Sequence, residues 1–332
     1  MGAQHHIVIC TMHHIIADGQ SFEVVIAEMS QIYSALIKGQ SSPLADLSVQ
    51  YVDYAAWQRQ WLQGEVLEQR LAYWRKQLED APQRLSLPQR LARPKVQEFK
   101  SAKHFFRVSV GQTESLRELS RREGMTLFMT MLSGFVLLLN RYAGDEDIVV
   151  GSTYANRERP EAEKLIGILV NTLVLRLNLS GVVTFKDIMR RVRDVCLDAY
   201  TYQVPPELLR QNLDTRDEER ERFFDVWFQL ERARHEKFGM TGLEVTPYVE
   251  GKEASRFELS MSLGEQEREI AGELEYDENI FPARTTFRML EDYLHLLALM
   301  VADPDQDLST ISLTSNDEIE QLSSAFVANL EV

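Results

Sequence analysis

The chain has 332 residues, of which 44% are hydrophobic and 26% are charged. This is an ordinary globular composition, and the length is sufficient for more than one lobe. The formal net charge of −15 argues against nucleic-acid binding and against an anionic membrane surface as a partner.

The predicted elements begin with a strand over residues 5–12, which is rich in apolar side chains. An amphipathic helix follows over residues 22–37 and is ended by Gly39. Two further helices are predicted over residues 51–63 and 67–78. Prolines punctuate the next stretch, which we interpret as a linker between two lobes. The alternative is a long surface loop within one lobe, although long loops are uncommon in compact domains.

The remainder of the chain mixes strands with helices. Strands are predicted over residues 104–110, 147–152, 169–177, 224–230, 243–247, 257–263 and 270–276. Helices are predicted over residues 113–122, 126–142, 185–200 and 282–301. Because the order has no strict β-α-β rhythm, it indicates an α+β fold in the form of an α/β sandwich.

Two cysteines and the absence of targeting patterns bear on location. Cys10 and Cys196 lie far apart among apolar neighbours, without the spacing of a metal site, so we expect two buried thiols. The chain shows no secretory signal, and no apolar run is long enough to span a bilayer. These features predict a cytoplasmic protein.

The residues most suggestive of chemistry directly follow the first predicted strand, in residues 13–19 (HHIIADG). A histidine titrates near neutral pH and can accept a proton from an amine or a hydroxyl. Asp18 is close enough to brace the turn, and Gly19 lets a substrate approach the backbone. The alternative is a pair of strand-end histidines followed by an Asp-Gly turn.

This run resembles the HHxxxDG signature of the condensation domains of nonribosomal peptide synthetases, which share their fold with chloramphenicol acetyltransferase. Residues 51–58 (YVDYAAWQ) resemble the YxDYAxWQ motif of that family, and residues 166–176 (IGILVNTLVLR) its IGxFVNTxxxR motif. Residues 202–207 (YQVPPE) and 216–228 are similar to HQDVPFE and RDxSRNPLFQVMF, with departures. The five matches occur in the order of the family.

The departures are local. Residues 203–207 are one residue shorter than the family motif and lack its aspartate, and residues 219–223 (ERERF) replace SRNPL. Gln20 stands where the family usually has an aromatic residue after the glycine. These differences bear on loop contacts and on the carrier-protein surface rather than on the fold.

The resemblance implies a chloramphenicol acetyltransferase-like fold with two lobes and an active-site tunnel between them. In the family the HHxxxDG motif follows roughly a lobe's worth of sequence, whereas here it begins at residue 13. We therefore expect an incomplete N-terminal lobe over residues 1–80. This lobe would be followed by an inter-lobe linker over residues 81–98, a C-terminal lobe over residues 99–302 and a connector towards an adenylation domain over residues 303–332.

The activity that the resemblance implies is peptide-bond formation. A donor acyl or peptidyl thioester and an acceptor aminoacyl thioester arrive on the phosphopantetheine arms of two carrier proteins. The acceptor amine attacks the donor carbonyl, which requires a neutral amine and a stabilised oxyanion. The expected partners are these carrier proteins and a neighbouring adenylation domain, with no metal, no covalently bound cofactor, no nucleic acid and no membrane.

The resemblance also suggests residue roles. His14 would act as the general base or would position the amine, and His13 would hold the turn. The Gly19 N–H could face the oxyanion. Asp18 would be a brace rather than a base, and a buried carboxylate needs a partner.

Two residues of the IGxFVNTxxxR match are candidates for the substrate site. Arg176 interrupts an apolar strand and could pair with Asp18; equally, it could reach water from the end of the strand. Asn171 is expected near the tunnel. The two have opposite strand parity, so both face the site only if a bulge intervenes. Tyr51, Asp53 and Trp57 are expected to be packing residues.

Other functions stay open. Epimerisation domains share the histidine motif, but the YxDYAxWQ match favours condensation. Cyclisation domains carry aspartate in place of the histidines, so residues 13–14 argue against them. A third possibility is a catalytically inactive remnant or docking domain with the same fold.

Overall fold

A computed structural model of the chain describes residues 5–82, 84–87, 100–213, 223–232, 239–246, 257–266 and 268–313. The first part of the chain supplies three helices, α1 (Gly19–Ile37), α2 (Tyr51–Trp61) and α3 (Gly64–Leu78). All three were predicted from the helical period.

The strand predicted over residues 5–12 is wrong. Residues 5–12 have no ladder partner among the described residues, and the side chains of Ile7, Val8 and Ile9 are between 49% and 84% exposed. An apolar pattern forms a strand only where a neighbouring strand accepts its backbone hydrogen bonds. The prediction of a buried Cys10 fails for the same reason, because its thiol is exposed. Cys196 is buried as predicted.

The described strands form one six-stranded mixed sheet. The strands are β1 (Ser101–Val108), β2 (Asp147–Tyr154), β3 (Asn171–Asn178), β4 (Val226–Arg232), β5 (Leu259–Glu265) and β6 (Ile270–Asp277). Their spatial order is β1-β6-β5-β4-β2-β3, and β4 runs parallel to both of its neighbours. The predicted strand over residues 243–247 is not present: residues 243–246 are irregular, and residue 247 lies outside the described residues.

Five further helices among the described residues pack with the sheet and with one another. They are α4 (Val110–Arg122), α5 (Leu127–Ala143), α6 (Phe185–Thr201), α7 (Pro206–Asn212) and α8 (Ala283–Ala302). The interior of α5 is almost entirely buried, and this explains why its sequence is apolar all round. The result is the predicted α+β fold. No single helix in the described ranges is both long and apolar enough to cross a membrane. Helices α4 and α5 taken together reach that length and apolar composition, but the chain bends by 103° between them.

The main core extends across the predicted linker. Leu71 and Trp74 of α3 are buried in the same hydrophobic cluster as the sheet and its helices. Helix α3 therefore packs with the sheet and its helices, whereas the described residues of α1 and α2 are not part of that cluster. Most of the predicted linker, residue 83 and residues 88–98, lies outside the described residues. Of the predicted connector, residues 303–313 pack against the start of α6, since the Leu308 N–H donates to the Val183 carbonyl at 2.8 Å.

Candidate active site

The turn that carries the two histidines is held by His13. The Ile15 N–H donates to His13 Nδ1 at 3.0 Å, and the Ile16 N–H donates to the His13 carbonyl at 3.0 Å. Both bonds lie within the turn itself. The imidazole of His13 is therefore bonded within the turn.

The His14 imidazole is oriented by a neighbouring carbonyl. His14 Nδ1 lies 2.9 Å from the Ala17 carbonyl oxygen. A carbonyl only accepts hydrogen bonds, so Nδ1 carries the proton and donates it. In the neutral ring this leaves Nε2 unprotonated and able to accept a proton. The His14 side chain is exposed, so Nε2 is open to a substrate.

Asp18 begins helix α1 and joins the turn to the middle of the chain. Its carboxylate caps the helix by accepting the Ser21 N–H at 2.7 Å and the Ser21 hydroxyl at 2.6 Å. The other oxygen accepts the N–H groups of Leu169 at 3.0 Å and Val170 at 3.2 Å. Asp18 is buried and serves as a brace, since both oxygens are occupied by donors.

The cation that pairs with Asp18 is Arg157 rather than Arg176. Arg157 Nη2 donates to Asp18 Oδ1 at 2.9 Å, and both side chains are almost fully buried. Arg157 Nη1 donates to the carbonyls of Ala162 at 2.8 Å and Leu165 at 2.7 Å. The guanidinium is thus a cross-link between α1 and the loop that leads into β3.

The electrostatics of this ion pair favour the charged carboxylate. Burial by itself raises the pKa of Asp18, but the hydrogen bonds from Ser21 and Leu169 and the charge of Arg157 outweigh it and lower the pKa below its usual value. Asp18 is therefore ionised at neutral pH. A group that holds its proton so weakly is unsuited to be a general base.

Arg157 was missed because it lies outside the motifs that the sequence analysis matched. A buried carboxylate requires a cation, but nothing local shows which arginine, 139 residues away, supplies it. Arg176 interrupts an apolar strand and is therefore a candidate partner of Asp18 from the sequence, but it pairs with a different carboxylate. The Arg176 guanidinium donates to both carboxylate oxygens of Asp147, from Nε to Oδ1 at 3.1 Å and from Nη2 to Oδ2 at 2.7 Å. It also donates to the carbonyls of Gln77 at 2.9 Å and Glu79 at 2.6 Å, so it joins β3 to the end of α3.

Asn171, at the first position of β3, lies next to the Asp18 brace. Its side-chain N–H donates to Gln203 at 3.3 Å. Gln203 in turn donates to Asn156 at 3.4 Å, and Asn156 donates to the Tyr54 hydroxyl at 2.8 Å. These four side chains line a cavity of about 340 Å³. The YQVPPE match therefore contributes Gln203 to the same wall as the IGxFVNTxxxR match.

The YxDYAxWQ match packs against the IGxFVNTxxxR match. The Tyr51 hydroxyl donates to the Ile168 carbonyl at 3.0 Å, and the Tyr51 ring fills the space where a Cβ on Gly167 would lie. Asp53 caps α2 by accepting the Gln50 N–H at 2.9 Å. Trp57 lines the cavity rather than packing in a core.

Comparison with known proteins identifies the family. A family model described as a condensation domain matches residues 1–323. One of the linear gramicidin synthase proteins of Brevibacillus parabrevis is 40% identical over 329 residues, which are 98% of this chain and 4% of that protein. Malpinin synthetase of Mortierella alpina is 38% identical over 315 residues, which are 94% of this chain and again 4% of that protein. The chain thus spans a small part of the relatives it matches.

Solved structures agree with this result. The X-domain in its complex with OxyB from teicoplanin biosynthesis is 26% identical, with a TM-score of 0.77 over 92% of this chain and 69% of that one. A four-domain nonribosomal peptide synthetase shares the fold at 21% identity, with a TM-score of 0.76 over 90% of this chain and 24% of that one. The mixed sheet and the histidine turn define a protein with the chloramphenicol acetyltransferase-like fold. The chain belongs to the condensation domain family of nonribosomal peptide synthetases.

Proposed function

We propose that this domain forms an amide bond between a donor acyl or peptidyl thioester and the amine of an acceptor aminoacyl thioester. The observation that supports the proposal best is the bond from His14 Nδ1–H to the Ala17 carbonyl. It leaves Nε2 as the acceptor on an exposed face of the turn. A base with its proton on the far nitrogen is what an attacking amine requires.

The reaction follows from this arrangement. The neutral acceptor amine attacks the donor carbonyl, a C–N bond forms, and the thioester C–S bond breaks. The proton lost by the amine passes to His14 Nε2 and then to the departing thiolate. The products are an amide and a free thiol, so atoms and charge balance. His14 acts either as this proton carrier or as a hydrogen-bond acceptor that only positions the amine.

The tetrahedral oxyanion needs donors, and the start of α1, which follows the histidine turn, offers backbone N–H groups. Gly19 is the first residue of that helix, where backbone N–H groups have no partner within the helix. It is exposed, and a Cβ built on it would meet nothing within 4 Å. We assign the Gly19 N–H to the oxyanion. His13 and Asp18 support His14 by fixing the turn and the start of the helix.

We propose that substrates reach the site on the phosphopantetheine arms of two carrier proteins, with an adenylation domain as a neighbour in the same synthetase. The relatives are large synthetases, which supports this arrangement. Asn171 remains our proposed substrate contact, since it begins β3 directly after Val170, whose N–H donates to Asp18. Arg176 is withdrawn from that role because Asp147 and two carbonyls of the α3 end occupy its guanidinium.

The test uses the full chain with a loaded donor carrier and an aminoacyl pantetheine thioester as acceptor, and mass spectrometry follows the amide product. We expect His14→Ala to lower the rate at least about 100-fold, the usual contribution of a general base. His6→Ala, which removes another exposed histidine of the same segment, is the matched control and should keep the wild-type rate. Wild-type transfer by His14→Ala would refute the assignment. Binding of the carrier protein without any transfer by the wild type would favour the docking function instead.

A further inference from the structure

The cavity has a second wall that the proposed reaction does not use. Its centre is a stack of two indoles, with the rings of Trp57 and Trp61 5.4 Å apart and 11° from parallel. The Arg70 guanidinium lies 4.6 Å from the centre of the Trp61 ring. The Arg159 guanidinium lies 4.5 Å from the centre of the Trp57 ring. Each indole thus has a cation on one face and the other indole on its second face.

The stack holds two arginines in place without neutralising them. A guanidinium over an indole face is stabilised by the ring quadrupole and keeps its full positive charge. Arg70 is half-buried and donates to the Gln203 carbonyl at 2.9 Å. Among the described residues, no carboxylate forms an ion pair with Arg70 or Arg159. Glu158, the acidic side chain that lines the cavity, accepts a hydrogen bond from Tyr154.

Arg70 is a half-buried cation without a carboxylate, which is unusual in a chain with a net charge of −15, whereas the Arg159 side chain is exposed. A half-buried cation has lost part of its hydration and has not regained it from an opposite charge. A ligand anion that enters the cavity would supply that charge. The N–H groups of a guanidinium fit the two oxygens of a carboxylate in particular.

Two further features limit the polarity and the size of a ligand that would fit the cavity. The Tyr54 hydroxyl accepts from Asn156 and from Gln58, at 2.8 and 3.5 Å, so its own proton is left to donate into the cavity. Leu62, Ala162 and Pro205 line the same cavity with apolar surface. A volume of about 340 Å³ is at the small end of the range for ligand pockets. The lining suits an acid with a compact apolar body.

We infer that this cavity binds a small organic carboxylate, with the carboxylate at Arg70 and the apolar body against the indole edges. His14 does not line the cavity, so this site is separate from the proposed base. The inference does not depend on the proposed function, and its test reads binding rather than transfer.

The experiment measures benzoate binding to the full chain by the indole N–H signals in a proton–nitrogen NMR spectrum. The chain has four tryptophans, and two of them report from elsewhere. Trp74 donates to the Tyr202 carbonyl at 2.7 Å, and Trp227 donates to Gln229 at 2.9 Å. We expect saturable shifts for Trp57 and Trp61 and unchanged signals for the other two. Benzamide, which has the same shape without the charge, should cause no saturable shift.

The variants locate the anion. Arg70→Gln should weaken benzoate binding about tenfold, as loss of a charged hydrogen bond does. Arg70→Lys, which keeps the charge but loses the paired N–H donors, should also weaken binding and decides the question if Arg70→Gln fails to fold. Arg121→Gln, at an exposed arginine on α4, is the matched control and should bind as the wild type does. Equal binding of benzoate and benzamide, unchanged affinity in the folded Arg70 variants, or no saturable shift at all would each overturn the inference.

Discussion

Arg157 and Asp18 form an ion pair at 2.9 Å in which the two side chains are only 2% and 3% exposed. Removing one partner of a buried pair leaves an unpaired charge and costs about 3–5 kcal/mol. We expect this loss in the free energy of unfolding for Asp18→Ala, measured by chemical denaturation. The double variant Asp18→Ala/Arg157→Met should lose less than the two single variants combined, because it leaves no buried charge.

The control for this prediction is an ion pair on the surface. Asp194 Oδ1 lies 3.4 Å from Arg193 Nε, and the Asp194 side chain is 66% exposed. Asp194→Ala should cost less than about 1 kcal/mol, as exposed pairs usually do. Equal losses for Asp18→Ala and Asp194→Ala would show that the buried pair does not stabilise the fold.

The lowered pKa of Asp18 predicts how stability depends on pH. The pKa is lower in the folded chain than in the unfolded chain, where it is about 3.9. The stabilisation is therefore fully present above about pH 4 and is lost as the pH falls through the folded value. The difference in Tm between the wild type and Asp18→Asn should be largest at pH 6–7 and should shrink below about pH 4. A difference that grows on acidification would contradict the assignment.

The sequence was sufficient for most of the fold because most elements carry their own period. The helical and strand patterns located α1 to α6, α8 and six strands. Helices α3 to α6, α8 and the strands bury apolar side chains in the main core, whereas α1 and α2 have the helical period without contributing to it. The sequence failed over residues 5–12, where an apolar pattern has no described strand to pair with. It also missed α7, although Pro205 and Pro206 stand at the cap and first position of that helix, where proline is favoured.

The candidate site was only partly predictable. One motif was sufficient to predict the turn, because its four residues lie within seven positions of the sequence: His13, His14, Asp18 and Gly19. Arg157 could not be assigned from the sequence, because its pairing with Asp18 depends on the path of the chain between them. The cavity likewise depends on three segments that meet only in the folded chain.

The contact between Gly167 and Tyr51 predicts a substitution that disturbs both motifs. A Cβ on Gly167 would lie 2.1 Å from the Tyr51 ring, too close for any real contact. Gly167→Ala should therefore displace the ring and destabilise the fold by about 1–3 kcal/mol, the usual cost of overpacking. Gly111→Ala is the control, because a Cβ there meets nothing within 4 Å. Tyr51→Ala in the Gly167→Ala background should recover part of the loss in chemical denaturation.

The two thiols should differ in reactivity. Cys10 is exposed, whereas Cys196 is buried and burial raises the pKa of its thiol to about 12. The thiolate is the reactive form, so Cys196 should be inert at pH 8 in the folded chain. We expect one thiol per chain to react quickly with a disulfide reagent and the second to react after unfolding. Cys10→Ser should abolish the fast phase, and a fast phase that survives this change would show that Cys196 is accessible.

The position of α3 in the main core predicts the pattern of proteolysis. Lys38 is exposed at the end of α1, and irregular chain follows it before α2, whereas Arg75 and Lys76 lie on a helix anchored by Leu71 and Trp74. Proteases cut where the backbone can open locally, so trypsin should cleave early after Lys38 and late within α3. The peptide that carries α3 should stay with the C-terminal fragment in gel filtration without denaturant, even where trypsin also cuts between residues 83 and 100. Leu71→Ala/Trp74→Ala should release it. Separation of α3 from the wild-type C-terminal fragment would show that the core excludes α3 and that the boundary expected near residue 80 is the correct one.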